Sequence, residues 1–168
     1  GEAGIGKTRL AEEILQDAVQ AGAVTLTARC YEGETQLAYG PFLEGIQTLL
    51  NQPSSLASLE KISPHWLSEA ARLTPDLTRI RPDLPIPPAS NGPGSQSRFF
   101  EGIRQLVMGL LSGSPPGILF LDDLQWADAA STGLLFHLGR RLAGQRILIA
   151  GAYRPEEVTI GRRGERHP

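Results

Sequence analysis

Hydrophobic positions along the chain change period several times, and each change marks an element. Leu10, Ala11, Ile14, Leu15, Ala18 and Val19 recur at three- and four-residue spacing, the stripe of an amphipathic helix. Gly22 follows as a natural stop. Val24, Leu26 and Ala28 alternate with Thr25 and Thr27, which predicts a strand. Residues 30–40 read as a loop. Pro41 then opens a helix carrying Phe42, Leu43, Ile46, Leu49 and Leu50. Ser63-Pro64 opens another, with Trp66, Leu67, Ala70 and Leu73 behind it. Phe99, Phe100, Ile103, Leu106, Val107, Leu110 and Leu111 give a longer amphipathic helix.

Two runs have no polar interruption. Ile118-Leu119-Phe120-Leu121 and Ile147-Leu148-Ile149-Ala150 fit parallel strands buried on both faces. Between them Asp128 can cap a helix bearing Leu134, Leu135, Leu138 and Leu142. Strands that alternate with helices predict an α/β fold with a parallel sheet. The helical stretch from about 41 to 112 sits between two strands and reads as an insertion or a helical layer. Within it, residues 81–95 hold five prolines and two glycines, which predicts an exposed, flexible loop. No internal repeat is apparent.

Composition narrows the class. The 168 residues are 40% hydrophobic and 20% charged, enough for one packed domain. A net charge of −2 gives no bulk attraction to nucleic acid or to an anionic membrane. The single cysteine, Cys30, excludes an internal disulfide framework, and no apolar run approaches the ~20 residues of a membrane span. There are only two lysines, Lys7 and Lys61, against fourteen arginines, so the placement of Lys7 matters.

Lys7 lies in Gly1-Glu2-Ala3-Gly4-Ile5-Gly6-Lys7-Thr8, which fits the phosphate-loop pattern G-x-x-x-x-G-K-[ST] without a mismatch. Glycines let successive N–H groups turn inward onto phosphate oxygens, and the helix that begins near Gly6 adds its positive end. Lys7 supplies a point charge to the β- and γ-phosphates and Thr8 offers a hydroxyl to Mg²⁺. A Gly-rich turn before an ordinary helix is the plain alternative, and the full motif with an amphipathic helix behind it argues against that. The apolar run 118–121 ends in Asp122-Asp123. Beside a phosphate loop, the first acid can hold Mg²⁺ through water and the second can orient the attacking water. Without the loop, a solvated strand end would be the simpler reading.

Several strings together resemble a known family. They are the phosphate loop with Arg9-Leu10, then Arg29-Cys30-Tyr31-Glu32, Tyr39-Gly40-Pro41-Phe42, Leu121-Asp122-Asp123-Leu124-Gln125-Trp126-Ala127-Asp128 and Tyr153-Arg154-Pro155-Glu156-Glu157. They are similar to the STAND-type, AAA-like ATPase module of bacterial multidomain regulators, both LuxR-type transcriptional regulators and cyclase- or kinase-linked proteins. The resemblance implies a three-layer αβα P-loop NTPase sandwich over 1–157, with 158–168 starting a linker to the next domain. It implies ATP and Mg²⁺ as ligands. The nucleotide cradle would be Gly1, Ala3, Gly4, Ile5, Gly6, Lys7, Thr8 and Arg9, with Thr8 and Asp122 on the metal. Asp123 would orient water, in place of the glutamate such enzymes commonly carry, and Arg154 would be a sensor arginine near the γ-phosphate.

The function expected from this is a slowly hydrolysing regulatory ATPase in the cytoplasm. Its partners would be the other domains of the same parent chain, with self-association on ATP binding admitted and no direct contact with nucleic acid or membrane. A nucleotide-binding scaffold without significant hydrolysis is the first alternative. A P-loop small-molecule kinase is the second, although 129–152 holds no Arg-rich lid. Trp126 and Cys30 read as packing residues, Glu32 as either a loop acid or a nucleotide neighbour, and the three histidines as bystanders. The Arg162–Arg166 cluster reads as a basic stub. Because the chain opens inside the phosphate loop, the strand that feeds such a loop is expected to be missing. Its slot is expected beside the Asp122 strand, which would leave the chain aggregation-prone when expressed alone.

Overall fold

The computed structural model describes residues 6–33 and 37–155. Three strands, β1 (Thr25–Arg29), β2 (Gly117–Asp122) and β3 (Ile147–Gly151), form one parallel sheet in the order β1-β2-β3. Register runs Leu26↔Leu119 and Ala28↔Leu121 on one side of β2, and Leu119↔Ile149 on the other. Helix α1 (Lys7–Gln20) precedes β1. Five helices separate β1 from β2: α2 (Gly40–Leu50), α3 (Ser55–Leu59), α4 (Pro64–Ala70), α5 (Asp76–Ile80) and α6 (Ser95–Leu111). Helix α7 (Ala129–Arg141) connects β2 to β3. The α/β reading therefore holds, and 41–112 is helical throughout its ordered elements. The short helices α3 and α5 were not legible, because five residues are too few to display a period.

Alternation in β1 sorts the two faces of the sheet. Leu26 and Ala28 are buried with Leu119 and Leu121 in the main core, joined by Phe42 and Ile46 of α2, Leu67 of α4, and Ile103, Leu106 and Val107 of α6. Ile118 and Phe120 point to the other face. There Phe120 shares a groove with Leu10, Ala11 and Ile14 of α1. That face is thinly covered among the described residues: α1 buries none of its side chains, and Leu10 and Ile14 stay more than half exposed.

Two expectations change here. β2 is buried at all six positions, as its composition predicts, but β3 is not: Leu148 is 54% exposed. Leu148 projects onto the thin face, and β3 pairs with β2 on one edge only among the described residues. Both edges of β2 are occupied, by β1 and β3, so no further strand can lie beside the Asp122 strand. Among the described residues, the open edges lie beyond β3 and beyond β1.

The helical layer closes around an ion cluster. Glu69 of α4 has a side chain only 1% exposed, with Arg72 Nε at 2.8 Å and Arg98 Nε at 3.3 Å. A carboxylate this deep needs such partners, because an unpaired buried charge is strongly unfavourable. Both arginines reach onward to the proline-rich stretch: Arg72 Nη2 donates to the Pro88 carbonyl, and Arg98 Nη1 to that of Pro93 at 3.1 Å. The stretch is irregular and exposed at its Ile86 tip, yet tied to α4 and α6 at two points. Helices α4 and α6 meet at Gly102, where an added Cβ would stand 2.8–2.9 Å from Glu69 Cβ and from backbone atoms of Ala70 and Trp66. Gly139 on α7 has open space instead. Gly102→Ala is therefore expected to lower stability by about 1–3 kcal/mol through overpacking. Gly139→Ala should raise it by about 0.5–1 kcal/mol through helix propensity. Urea unfolding of the two variants against the parent chain measures both signs.

Candidate functional site

Three chain segments converge at the C-terminal end of the sheet. The first is the start of α1. Gly6 takes a left-handed conformation, φ +87°, and its carbonyl accepts from Leu10 N at 2.9 Å. Such a φ suits glycine because a Cβ is disfavoured there. This turn sets Lys7 and Thr8 as the first two helical residues, the placement expected of a phosphate loop running into its helix. Gly1, Ala3, Gly4 and Ile5 lie outside the described residues.

The second segment is the end of β2. Asp122 is 5% exposed, and its carboxylate is held from two sides. Oδ1 accepts from Asp123 N at 3.0 Å, and Oδ2 accepts from Thr8 Oγ1 at 3.3 Å. Hydroxyl and carboxylate thus come together from positions 114 residues apart. Among the described residues there is no group of three or more His, Cys, Asp or Glu side chains that could hold a metal ion. The Thr8–Asp122 pair is a hard-oxygen donor set of the kind that suits Mg²⁺, which uses few protein ligands and completes its octahedron with waters and phosphate oxygens.

The chain turns sharply after Asp122. Asp123 sits in the left-handed region, φ 54° and ψ 43°, which costs a non-glycine residue roughly 1–2 kcal/mol, less for Asp than for bulkier types. A bracket of hydrogen bonds holds it there. Gln125 Nε2 donates to Asp123 Oδ1 at 3.0 Å, and Gln125 Oε1 accepts from Arg154 N at 3.1 Å. Leu124 N donates to the Ala152 carbonyl, and Ala152 N to that of Leu121, both at 2.9 Å. A 3-10 turn, Leu124–Trp126, comes next, and Asp128 caps α7 by accepting from Ser131 N at 2.8 Å. That cap was expected from the sequence.

The third segment leaves β3 and carries Arg154. Its Nε lies 3.8 Å from Asp123 Oδ1, while Arg29 Nη2, from the end of β1, lies 3.5 Å from Asp123 Oδ2. Asp123, with a side chain 17% exposed, therefore stands between two guanidinium groups. Gly6, Lys7, Thr8 and Arg9 border one side of an open cleft of about 220 Å³, and Asp122, Asp123 and Arg154 border the other. Arg9 is at the rim, its guanidinium 3.2 Å from Glu13 on the exposed face of α1.

Sequence reasoning assigned no role to Arg29 or Gln125. For Gln125 the signal was its position two residues after Asp123. For Arg29 no local signal exists, because only strand pairing brings Arg29 opposite Asp122. Cys30, the next residue, is buried, and its thiol is pushed up to about 11 by burial first and then by the charges of Asp128, Asp123 and Asp122. It stays protonated near neutral pH and is no nucleophile. Trp126 is half-buried in the 3-10 turn, beside Cys30 and Pro41. Burial lowers the His137 pKa, so that ring is neutral near pH 7. None of the described helices is long and apolar enough to cross a membrane.

The sequence profile of the AAA ATPase domain family matches residues 1–149. No curated protein and no solved structure is significantly similar to the chain. The profile match spans both the Lys7–Thr8 helix start and the Asp122 strand end that meet in the cleft, and the chain belongs to the AAA ATPase domain family.

Proposed function

We propose that the chain is a Mg²⁺-dependent ATP-binding module that hydrolyses slowly and switches a larger signalling or transcriptional regulator between states. The observation that carries this reading is the 3.3 Å approach of Thr8 Oγ1 to Asp122 Oδ2 beside Lys7. In this reading Lys7 binds the β- and γ-phosphate oxygens. Mg²⁺ supplies neutralisation of the phosphate charge. Thr8, by its hydroxyl, and Asp122, by its carboxylate, would hold the metal. Asp123 orients a water for in-line attack on the γ-phosphorus. Arg154 turns toward the γ-phosphate, which competes for the guanidinium that now faces Asp123. The STAND-type regulatory role rests on the sequence resemblance. With it come the cytoplasm as the place of action and the other domains of the parent chain, or a second copy, as partners.

The slow rate follows from Asp123. Its side chain is one methylene shorter than glutamate, and both of its oxygens already face donors, Gln125 and Arg154 on one and Arg29 on the other. Those contacts compete with a water for the carboxylate's lone pairs and hold its orientation. The same contacts favour the second reading, a scaffold that binds nucleotide without turning it over. Single-turnover assays with trace ATP and excess protein separate the two. The switch releases phosphate above the buffer rate, whereas the scaffold retains intact ATP.

Lys7→Ala is expected to weaken Mg-ATP binding by about 1.5–3 kcal/mol, the value of a charge-assisted contact, or roughly ten- to 150-fold in Kd by calorimetry. Asp122→Asn should keep part of the nucleotide affinity, while the Mg²⁺ concentration needed for half-maximal hydrolysis rises and the rate falls. Arg29→Ala should raise the single-turnover rate a few-fold by freeing one oxygen of Asp123. A lower rate in that variant would mean that Arg29 positions the carboxylate instead of restraining it.

A further inference from the structure

A second cleft, of about 560 Å³, opens in the helical layer and shares no lining residue with the cleft around Lys7. Its walls are apolar. Tyr39, at the head of α2, and Phe99 of α6 meet edge to face with centroids 5.2 Å apart, and Leu43 and Leu73 line the cleft with them. Arg72, with Ser90, Ser95 and Gln96, makes the polar part of the lining. The size and the mix, mostly apolar with a few convergent polar groups, are those of a small-molecule site.

Charge selects among small molecules. Glu69, with a side chain 1% exposed, carries one negative charge and faces two arginines, Arg72 and Arg98. These three side chains together sum to one positive charge, and Arg72 is the member that lines the cleft. Arg72 uses Nε on Glu69 and Nη2 on the Pro88 carbonyl. A guanidinium has five N–H donors in a fixed fork, so these two contacts leave donors for a ligand. Aromatic walls, beside a partly buried guanidinium that keeps N–H donors to give, complement an apolar body ending in an anion.

We propose that this cleft binds a small amphiphilic carboxylate, its apolar body against Tyr39, Leu43, Leu73 and Phe99 and its carboxylate on Arg72. The site is independent of the nucleotide reading and would make the helical layer a ligand-binding layer. Three probes that share one ring isolate the charge: indole-3-acetate, neutral indole-3-acetamide and cationic tryptamine. Calorimetric or saturation-transfer titration of the full chain should rank acetate above amide above tryptamine, with about tenfold or more between the ends. Gln96→Glu places a negative charge at an exposed rim position of α6 and should weaken acetate binding several-fold while sparing tryptamine. Ser90→Trp, on the exposed stretch, should fill the cleft and weaken all three. Lys7→Ala should weaken ATP binding roughly ten- to 150-fold and leave indole-3-acetate binding intact, so failure of one site is told from failure of the other. Equal affinities for the three probes, no acetate binding at millimolar concentration, an acetate affinity untouched by Gln96→Glu, or acetate binding lost in Lys7→Ala would each overturn the proposal.

Discussion

The candidate site depends on one buried strand. β2 is covered on both faces and paired on both edges, so its backbone cannot shift or rotate without breaking two ladders at once. Its last residue, Asp122, is thereby held where Thr8 arrives from the start of α1. Helix packing tightens the same constraint. At Gly45 an added Cβ would stand 2.7 Å from the Thr27 carbonyl oxygen, and at Gly117 it would stand 2.3 Å from that of Leu111. Helix α2 lies close on β1, and the end of α6 close on the start of β2, so the helical layer and the acidic strand end are braced by backbone contact.

The turn that leaves β2 is strained and held. Asp123 exits the strand in a left-handed conformation, and Gln125 fixes it by bonding the Asp123 carboxylate with one end of its amide and the Arg154 backbone with the other. The end of β3 is therefore mechanically part of the acidic turn. A change at Arg154 reaches Asp123 both through the amide of Gln125 and across the 3.8 Å ion contact. Backbone strain kept in place by its surroundings concentrates at sites that bind or react. Here the strained residue is the one proposed to meet the water.

The ion cluster at Glu69 does for the helical layer what β2 does for the sheet. A carboxylate with 1% of its side chain exposed must keep both arginines, and both arginines end on carbonyls of the proline-rich stretch. The position of that stretch is thus linked to the packing of α4 against α6, although its own sequence supplies little to pack. The same economy places Arg72 at the mouth of the second cleft.

Local chemistry was legible. The 3.6-residue period announced α1, α2 and α6. The alternation at 24–28 announced β1, the unbroken apolar run announced β2, and Asp128 was recognisable as the cap of α7. Lys7 and Thr8 could be singled out as candidates by the spacing of the phosphate-loop pattern, and Asp122 and Asp123 by their place at the end of an apolar run. These are properties of neighbours in the chain, and the sequence by itself determined them. What it could not determine is pairing. Only the tertiary structure decided that β1 and β3 fill both edges of β2, that Leu148 faces a thinly covered side, that Arg29 reaches Asp123, and that Arg72 and Arg98 share Glu69. Those outcomes depend on which surfaces bury one another across tens of residues, and the free energy of that burial is distributed over the whole core, so no local pattern carries it.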